Sequence, residues 1–358
     1  MASNHPAQSR LYVDAHLDLA YNAVRGRDLT LSVDKLRAKE KRDNQEIMAT
    51  LPELSQGGVR LVFATIFVMP RKYAPADAPE SFTYEGAQEA HERAVEQLEL
   101  YQRWEAQGRI TIIRSARDLE RHLESTRTAP AGDGPGHAPV GVVLLMEGAD
   151  PVRTPEELGW WWEQGIRIVG LSWKETRYAG GTGVPGPLTD LGRQLLTQMQ
   201  QLGMALDVSH LAPESFWQAV EGWSGPLLAS HSNSRAFVDS DRHLDDEMVR
   251  ALAQRDAMIG LVLANPFLKA GVSRQDPKSS VTLADVGAQA RHIAAIAGWE
   301  RVGIGSDFDG GFGLQETPQG LERAGDFHKL AGAFPEEVVQ GVLATNWLRW
   351  LRASLPNQ

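Results

Sequence analysis

Val13-Asp14-Ala15-His16-Leu17-Asp18 decides the reading of this chain. A short apolar run ends in an imidazole and, two residues on, a carboxylate. The run is what a buried strand gives, and the spacing of two puts both side chains on one side of an extended backbone. Outward from it, further short apolar runs follow at 59–67, 140–146, 166–171, 205–208, 226–229, 258–263 and 302–304, after a first strand at 11–14. Most are continuously hydrophobic, as parallel strands covered on both faces must be. Amphipathic stretches alternate with them at 85–107, 154–164, 187–202, 213–223, 245–253 and 282–297. Eight such strands, alternating with helical stretches, predict a closed (β/α)8 barrel, a TIM barrel, more than an open doubly wound sheet. No glycine-rich phosphate fingerprint follows the first strand to favour the open sheet.

The 358 residues are expected to form one barrel domain over 1–358, since α/β barrels run to this length as a unit. An excursion at about 70–139 separates the second and third strands and contains a strand-like piece at 110–113. The Pro- and Gly-rich stretch 126–139 reads as a surface loop. A helical segment at 335–354, rich in Trp and Leu, is expected on the barrel's outside or at a subunit contact.

The net charge of −10 argues against a nucleic-acid partner and against docking on an anionic membrane. There is no cysteine, so disulfides, thiolate metal sites and a cysteine nucleophile are excluded. Any metal must be held by His, Asp and Glu. No basic run followed by an apolar stretch opens the sequence and no apolar run approaches a membrane span, so the expected location is the cytoplasm.

Barrels of this kind gather functional side chains at the C-terminal ends of their strands. His16 and Asp18 close the first strand and can bind one ion. Glu147 follows the third, in Leu144-Leu145-Met146-Glu147-Gly148, where a carboxylate is costly to bury unless paired or bound to a cation. His210 ends the fifth, in Asp207-Val208-Ser209-His210, and His231 the sixth, in Ser230-His231-Ser232. Asp307 follows the eighth, in Gly305-Ser306-Asp307-Phe308-Asp309-Gly310. Singly, Glu147 reads as well as a partner for an arginine, and each histidine as a structural one. Together they form a metal-binding constellation. His5, His91, His122, His137, His243, His292 and His328 are expected to be ordinary surface residues. Imidazole and carboxylate suit Zn²⁺ and similar divalent ions. Five ligands, one able to bridge, suggest two ions that hold a hydroxide and polarise a carbonyl. Asp307 is then the uncoordinated acid/base that passes the water's proton to a leaving nitrogen.

These residues resemble the membrane (renal-type) dipeptidases, metallopeptidase family M19, from Asp14 to about Trp350. Asn346, in Ala344-Thr345-Asn346-Trp347, resembles a further family position. The resemblance implies a metal-dependent amidohydrolase barrel with a binuclear zinc site. It carries His16 and Asp18 to one zinc, His210 and His231 to the other, and Glu147 to the bridge, with other divalent ions suiting the same ligands. It implies the active-site acid/base at Asp307. It also implies that Arg242, in Asp241-Arg242-His243-Leu244-Asp245-Asp246, binds the terminal carboxylate of a dipeptide, for which a planar guanidinium is suited. The alternative for Arg242 is an ion pair with Asp245 or Asp246. A small-molecule or dipeptide substrate and a homodimer are the partners implied. Trp160, Trp161, Trp162, Trp347 and Trp350 could supply the interface, although such faces more often pack on their own barrel.

One departure concerns the substrate. After strand four the family's peptide-cleaving members carry Leu-Thr-His, and this chain reads Leu171-Ser172-Trp173. An indole offers one neutral N–H and cannot become a cation. Losing one oxyanion donor costs roughly 10²–10³ in turnover. Lys174, Arg177 or Tyr178 replaces the donor, or the indole N–H serves, or the substrate is another small amide, an N-acyl amino acid or an ester. A catalytically weak metal-binding barrel is a third reading. Ala179-Gly180-Gly181-Thr182-Gly183 reads as a flexible active-site loop or a plain surface turn.

Overall fold

Every residue of Val59–Phe67 is buried, yet its side chains divide between two places. Leu61 and Phe63 point into one apolar cluster, and Val62, Ala64 and Ile66 into another. The period-two alternation of a strand is intact, but both faces are covered, so the run reads as continuously apolar. The same holds around a ring of eight parallel strands: β1 (Tyr12–Leu17), β2 (Val59–Phe67), β3 (Val140–Glu147), β4 (Ile166–Gly170), β5 (Ala205–Asp207), β6 (Leu227–Ala229), β7 (Met258–Leu261) and β8 (Val302–Ile304), hydrogen-bonded in that order. The inner cluster collects Val13, Ala15, Val143, Leu145, Ile168, Leu228 and Met258 as the barrel's filling. The outer one lies beneath the surrounding helices, among them Ala87–Ala106, Asp190–Gln201, Pro213–Gly222, Asp246–Gln254 and Leu283–Ala297. This computed structural model describes residues 11–40, 45–76, 78–128 and 139–357.

The expected (β/α)8 barrel is the observed one. The seam between β8 and β1 carries no strand ladder and is closed by a side chain instead. Asp14 accepts the Ser306 backbone N–H at 2.7 Å and the Ser306 hydroxyl, and the Asp307 N–H donates to the His16 carbonyl at 3.1 Å. Ile110–Ile112 joins the sheet in parallel beside Val140–Val142 of β3, filling the space before β4 pairs from Leu144 onward. The helix Ala116–Thr128 takes the start of the expected loop at 126–139, and the rest of that loop up to residue 138 lies outside the described residues.

The C-terminal helix Asn346–Ser354 packs on its own barrel, the alternative weighed for its Trp residues, and it does so at one end. It neither lies on the barrel's flank nor offers Trp347 and Trp350 to a partner. Both indoles are buried, in one cluster with the barrel's filling, and they close the end opposite the candidate ligands. Their ring N–H groups donate to the Ile304 and Leu227 carbonyls, each at 3.1 Å, and Phe63 packs edge-on to Trp347. Gly303 makes the room, since a Cβ there would stand 2.1 Å from the Trp347 ring nitrogen. Asn346 holds the helix start, donating to the Trp299 and Val302 carbonyls. Trp161 is buried as well, while Trp160 is exposed. Among the described residues no helix is long and apolar enough to cross a membrane.

Candidate metal centre

The strand ladder fixes the centre. Glu147, the last residue of β3, pairs in register with Phe67 of β2 and Gly170 of β4, which places its carboxylate at the barrel mouth. β1 runs to Leu17, so His16 lies within the strand rather than after it. His16 Nε2 is 3.3 Å from Glu147 Oε2, and His210 Nε2 is 3.1 Å from Oε1. His231 Nε2 stands 3.6 Å from Oε1 and 3.0 Å from His210 Nε2, and its ring stacks on that of His16 with centroids 3.6 Å apart. Asp18 and Asp307 line the same cavity of about 370 Å³, with Arg242 and Trp173. The structure thus brings together all six expected groups and Arg242. Three non-glycine residues here, His210, Asp307 and Asp309, have φ between 59° and 67°. Such left-handed backbone is uncommon outside glycine and concentrates at functional sites. Gly310 is required beside it, because a Cβ would stand 1.8 Å from Asp307 Oδ1.

The histidines are oriented by groups the sequence reading did not assign. The Ser230 hydroxyl donates to Asp207 Oδ2 at 2.5 Å. Its only proton is then committed, so Ser230 Oγ accepts from His16 Nδ1 at 3.1 Å and His231 Nδ1 at 2.8 Å. In their neutral, metal-binding form both rings therefore turn an Nε2 lone pair to the centre. His16 Nε2 is buried with no hydrogen-bond partner among the described residues. Thr182 Oγ1 lies 2.9 Å from His210 Nδ1, and the Thr65 hydroxyl donates to Asp18 Oδ1. Imidazole lone pairs and carboxylate oxygens converging on one buried spot, with the outer ring nitrogens tied down, are a donor set that fits divalent cations.

Charge is crowded here. Burial, then the negative charge of Glu147, pushes Asp18 up to about 7. Burial raises Asp307 well above the ordinary carboxylate range, with Asp18 and Glu147 adding to the rise. Burial, then the Arg242 charge, brings His210 down to about 4, and burial, then the His16 charge, holds His231 well below its usual value. Burial works against a charge on His16 too, but the Glu147 carboxylate outweighs it and His16 rises to about 9. Glu147 moves down in return, through His16 and His210, against its own burial.

Arg242 forms neither of the ion pairs considered for it. Asp245 caps the helix Asp246–Gln254 through the Met248 N–H and pairs with Arg235, and Asp246 pairs with His292. The buried Arg242 guanidinium donates to the His231 carbonyl at 2.7 Å and to Ser232 Oγ at 3.4 Å, with Nε unpartnered. Among the described residues no carboxylate forms a salt bridge with it.

Other expectations are corrected. Arg177 and Tyr178 do not reach this cavity. The Arg177 guanidinium donates to Asp150 and to the Val152 and Arg153 carbonyls and lines a neighbouring cavity, and the Tyr178 hydroxyl donates to the Val152 carbonyl. Lys174 sits over the rings of Tyr73 and Trp173. The glycine-rich run is no flexible loop. Ala179–Gly181 pairs with Val184–Leu188 in an antiparallel hairpin, and a Cβ at Gly181 would stand 1.8 Å from the Lys174 carbonyl. His122 and His243 are buried rather than at the surface, whereas His91, His292 and His328 are part-exposed, and His5 and His137 lie outside the described residues. Only the Asp207 and Ser230 motifs were visible as flanks of ligands, and no local pattern marks Thr65 or Thr182.

The chain is similar to known proteins along its length. It is 31% identical over 257 residues to an uncharacterized protein encoded in the pqqA 5' region of Klebsiella pneumoniae, covering 68% of this chain and 89% of that one. Its fold matches the crystal structure of dipeptidase AC, a family M19 metallopeptidase, with a TM-score of 0.78 at 24% identity, over 97% of this chain and 99% of the other. A metallopeptidase from Rhodobacter sphaeroides, solved with a phosphinate mimic of the dipeptide L-Ala-D-Ala, matches with a TM-score of 0.76 at 24% identity and the same coverage. The model of the membrane dipeptidase family matches residues 5–355, and the chain belongs to that family, peptidase family M19, a metal-dependent hydrolase by membership.

Proposed function

We propose that this chain hydrolyses dipeptides at a centre of two divalent cations, zinc by the chemistry of the donors. The observation that carries the reading is the convergence of the His16, His210 and His231 Nε2 atoms on the Glu147 carboxylate beside Asp307 and an unpaired, buried Arg242. His16 and Asp18 would hold one ion, His210 and His231 the other, with Glu147 between them. Divalent cations there supply Lewis acidity towards a carbonyl and make water acidic enough to attack at neutral pH.

The residues do the rest. Arg242 holds the substrate's terminal carboxylate, which gives its buried charge a partner and supplies the geometry of a planar fork. Asp307 takes the proton of the attacking water and delivers it to the leaving amine. A carboxyl raised by burial suits a group that must carry a proton for part of each cycle.

The test is elemental analysis of the purified protein with a dipeptide panel that includes D-residues at the C-terminal position. Well under two divalent ions per chain, not restored by added zinc, would sink the two-metal reading. Trp173 on the cavity wall favours a second reading, in which the same centre cleaves another small amide, an N-acyl amino acid or an ester. Turnover of one of these with none of any dipeptide would select it.

A further inference from the structure

In a closed ring of eight strands, β2 and β6 face one another, and so do β4 and β8. Arg242 bonds to the end of β6 through the His231 carbonyl, and Asp307 follows β8. The opposite rim is of another kind. Tyr21, just past β1, meets Phe67 at the end of β2 with ring centroids 5.0 Å apart. Phe67 meets Trp173, past β4, at 5.3 Å, and Trp173 meets Tyr73 at 6.3 Å. All three contacts are edge-to-face, an arrangement that aromatic pairs favour. Tyr21, Phe67 and Trp173 all open onto the cavity, with Met69 and Pro75 beside them. Among the described residues the Trp173 indole N–H makes no hydrogen bond, so the ring is positioned by its faces and edges and is available as an apolar surface.

We infer that this row of rings is the pocket for the side chain of the substrate's N-terminal residue, and that it selects large apolar, above all aromatic, side chains. The inference rests on the dipeptidase reading. A dipeptide whose carboxylate is held at Arg242 over β6 and whose amide lies over Glu147 must extend its first residue towards β2. There it meets Phe67 and Trp173. Trp173 accordingly serves recognition of that side chain. A phenyl ring set edge-on against such a wall gains buried area and aromatic contact that a methyl group lacks.

The experiment compares L-Phe-D-Ala with L-Ala-D-Ala, as kcat/KM for the metal-loaded chain and as calorimetric Kd for phosphinate mimics of the two dipeptides. The native chain should favour the phenylalanyl compound by at least about tenfold in both, the scale on which apolar pockets discriminate. Trp173→Ala and Phe67→Ala should each bring the ratio towards one, while Trp173→Phe keeps most of it. A ratio at or below one in the native chain, or one that neither alanine variant moves, overturns the inference, and the native comparison stands even if a variant fails to fold. Equal or unmeasurable Kd values for the two mimics overturn the pocket even where dipeptides are hydrolysed. Tighter phenylalanyl binding without turnover of any dipeptide overturns the dipeptidase reading and leaves the pocket.

Discussion

Asp207 Oδ2 accepts the hydrogen bond of the Ser230 hydroxyl at 2.5 Å, and through that one bond it orients two imidazoles, one within β1 and one just past β6. The His16 and His231 tautomers are set together. Ser230→Ala should weaken metal binding by about 10–100-fold, the usual consequence of removing an outer partner of a ligating histidine. Thr182→Val acts on His210 alone and should give a loss confined to one ion. Competition with a chromophoric chelator reads both, and unchanged affinity in Ser230→Ala would count against the arrangement.

Asp307→Asn keeps the shape of the side chain and removes its ability to shuttle a proton. Turnover should fall by roughly 10²–10⁴. Metal content, measured on the same preparation, should not change. Loss of metal in parallel with activity would make Asp307 a ligand rather than an acid/base.

Dialysis against a chelator should abolish hydrolysis and lower Tm, because a ligand bound only by the folded state stabilises it by mass action. Added zinc should restore both, saturating at two equivalents. Restoration by one equivalent would require a mononuclear site.

Trp173→His places a chargeable donor at the rim and removes an apolar face. Turnover of L-Ala-D-Ala should rise by about tenfold, since a lost oxyanion donor typically costs more than that. A fall in steady-state rate would show that the indole itself assists the reaction.

His243 is buried against the edge of Phe267 with both ring nitrogens unpartnered. Burial, then the Arg242 charge, brings it down to about 3, below the ordinary 6.5. Between those values the unfolded chain binds the extra proton, so this group's contribution to stability is full above about pH 6.5 and is lost as pH falls towards 3. His243→Phe keeps the edge contact and removes the titration. The drop in Tm between pH 7.5 and pH 5 should shrink by about 2–3 °C in the variant. An equal drop in both proteins would place the acid sensitivity elsewhere.

The barrel was legible because its strands are covered on both sides, which writes each one as an unbroken apolar run such as 140–146. The ligands were legible because strand ends are where a polar residue interrupts such a run. The helices Leu19–Val24, Val33–Lys39 and Leu51–Gly57 escaped, being six or seven residues long and too short to show a helical period. Arg177 and Tyr178 were misplaced because nearness to strand four in sequence does not reveal that the chain turns them towards Asp150 and Val152. Thr182 reaches His210 across 28 positions, and a lone threonine carries no pattern to announce that.

The stopper formed by Trp347 and Trp350 bears on how the chain is made. Residues 346–354 leave the ribosome after all eight strands, so during synthesis the inner face of Phe63 and its neighbours waits for the indoles that finally seal it. Until then the nascent barrel is an open cup with an apolar floor, the kind of exposed surface on which chaperones act and incomplete chains aggregate. A nonsense lesion that spares every catalytic group but removes the last helix would therefore be expected to fail at birth rather than at the active site.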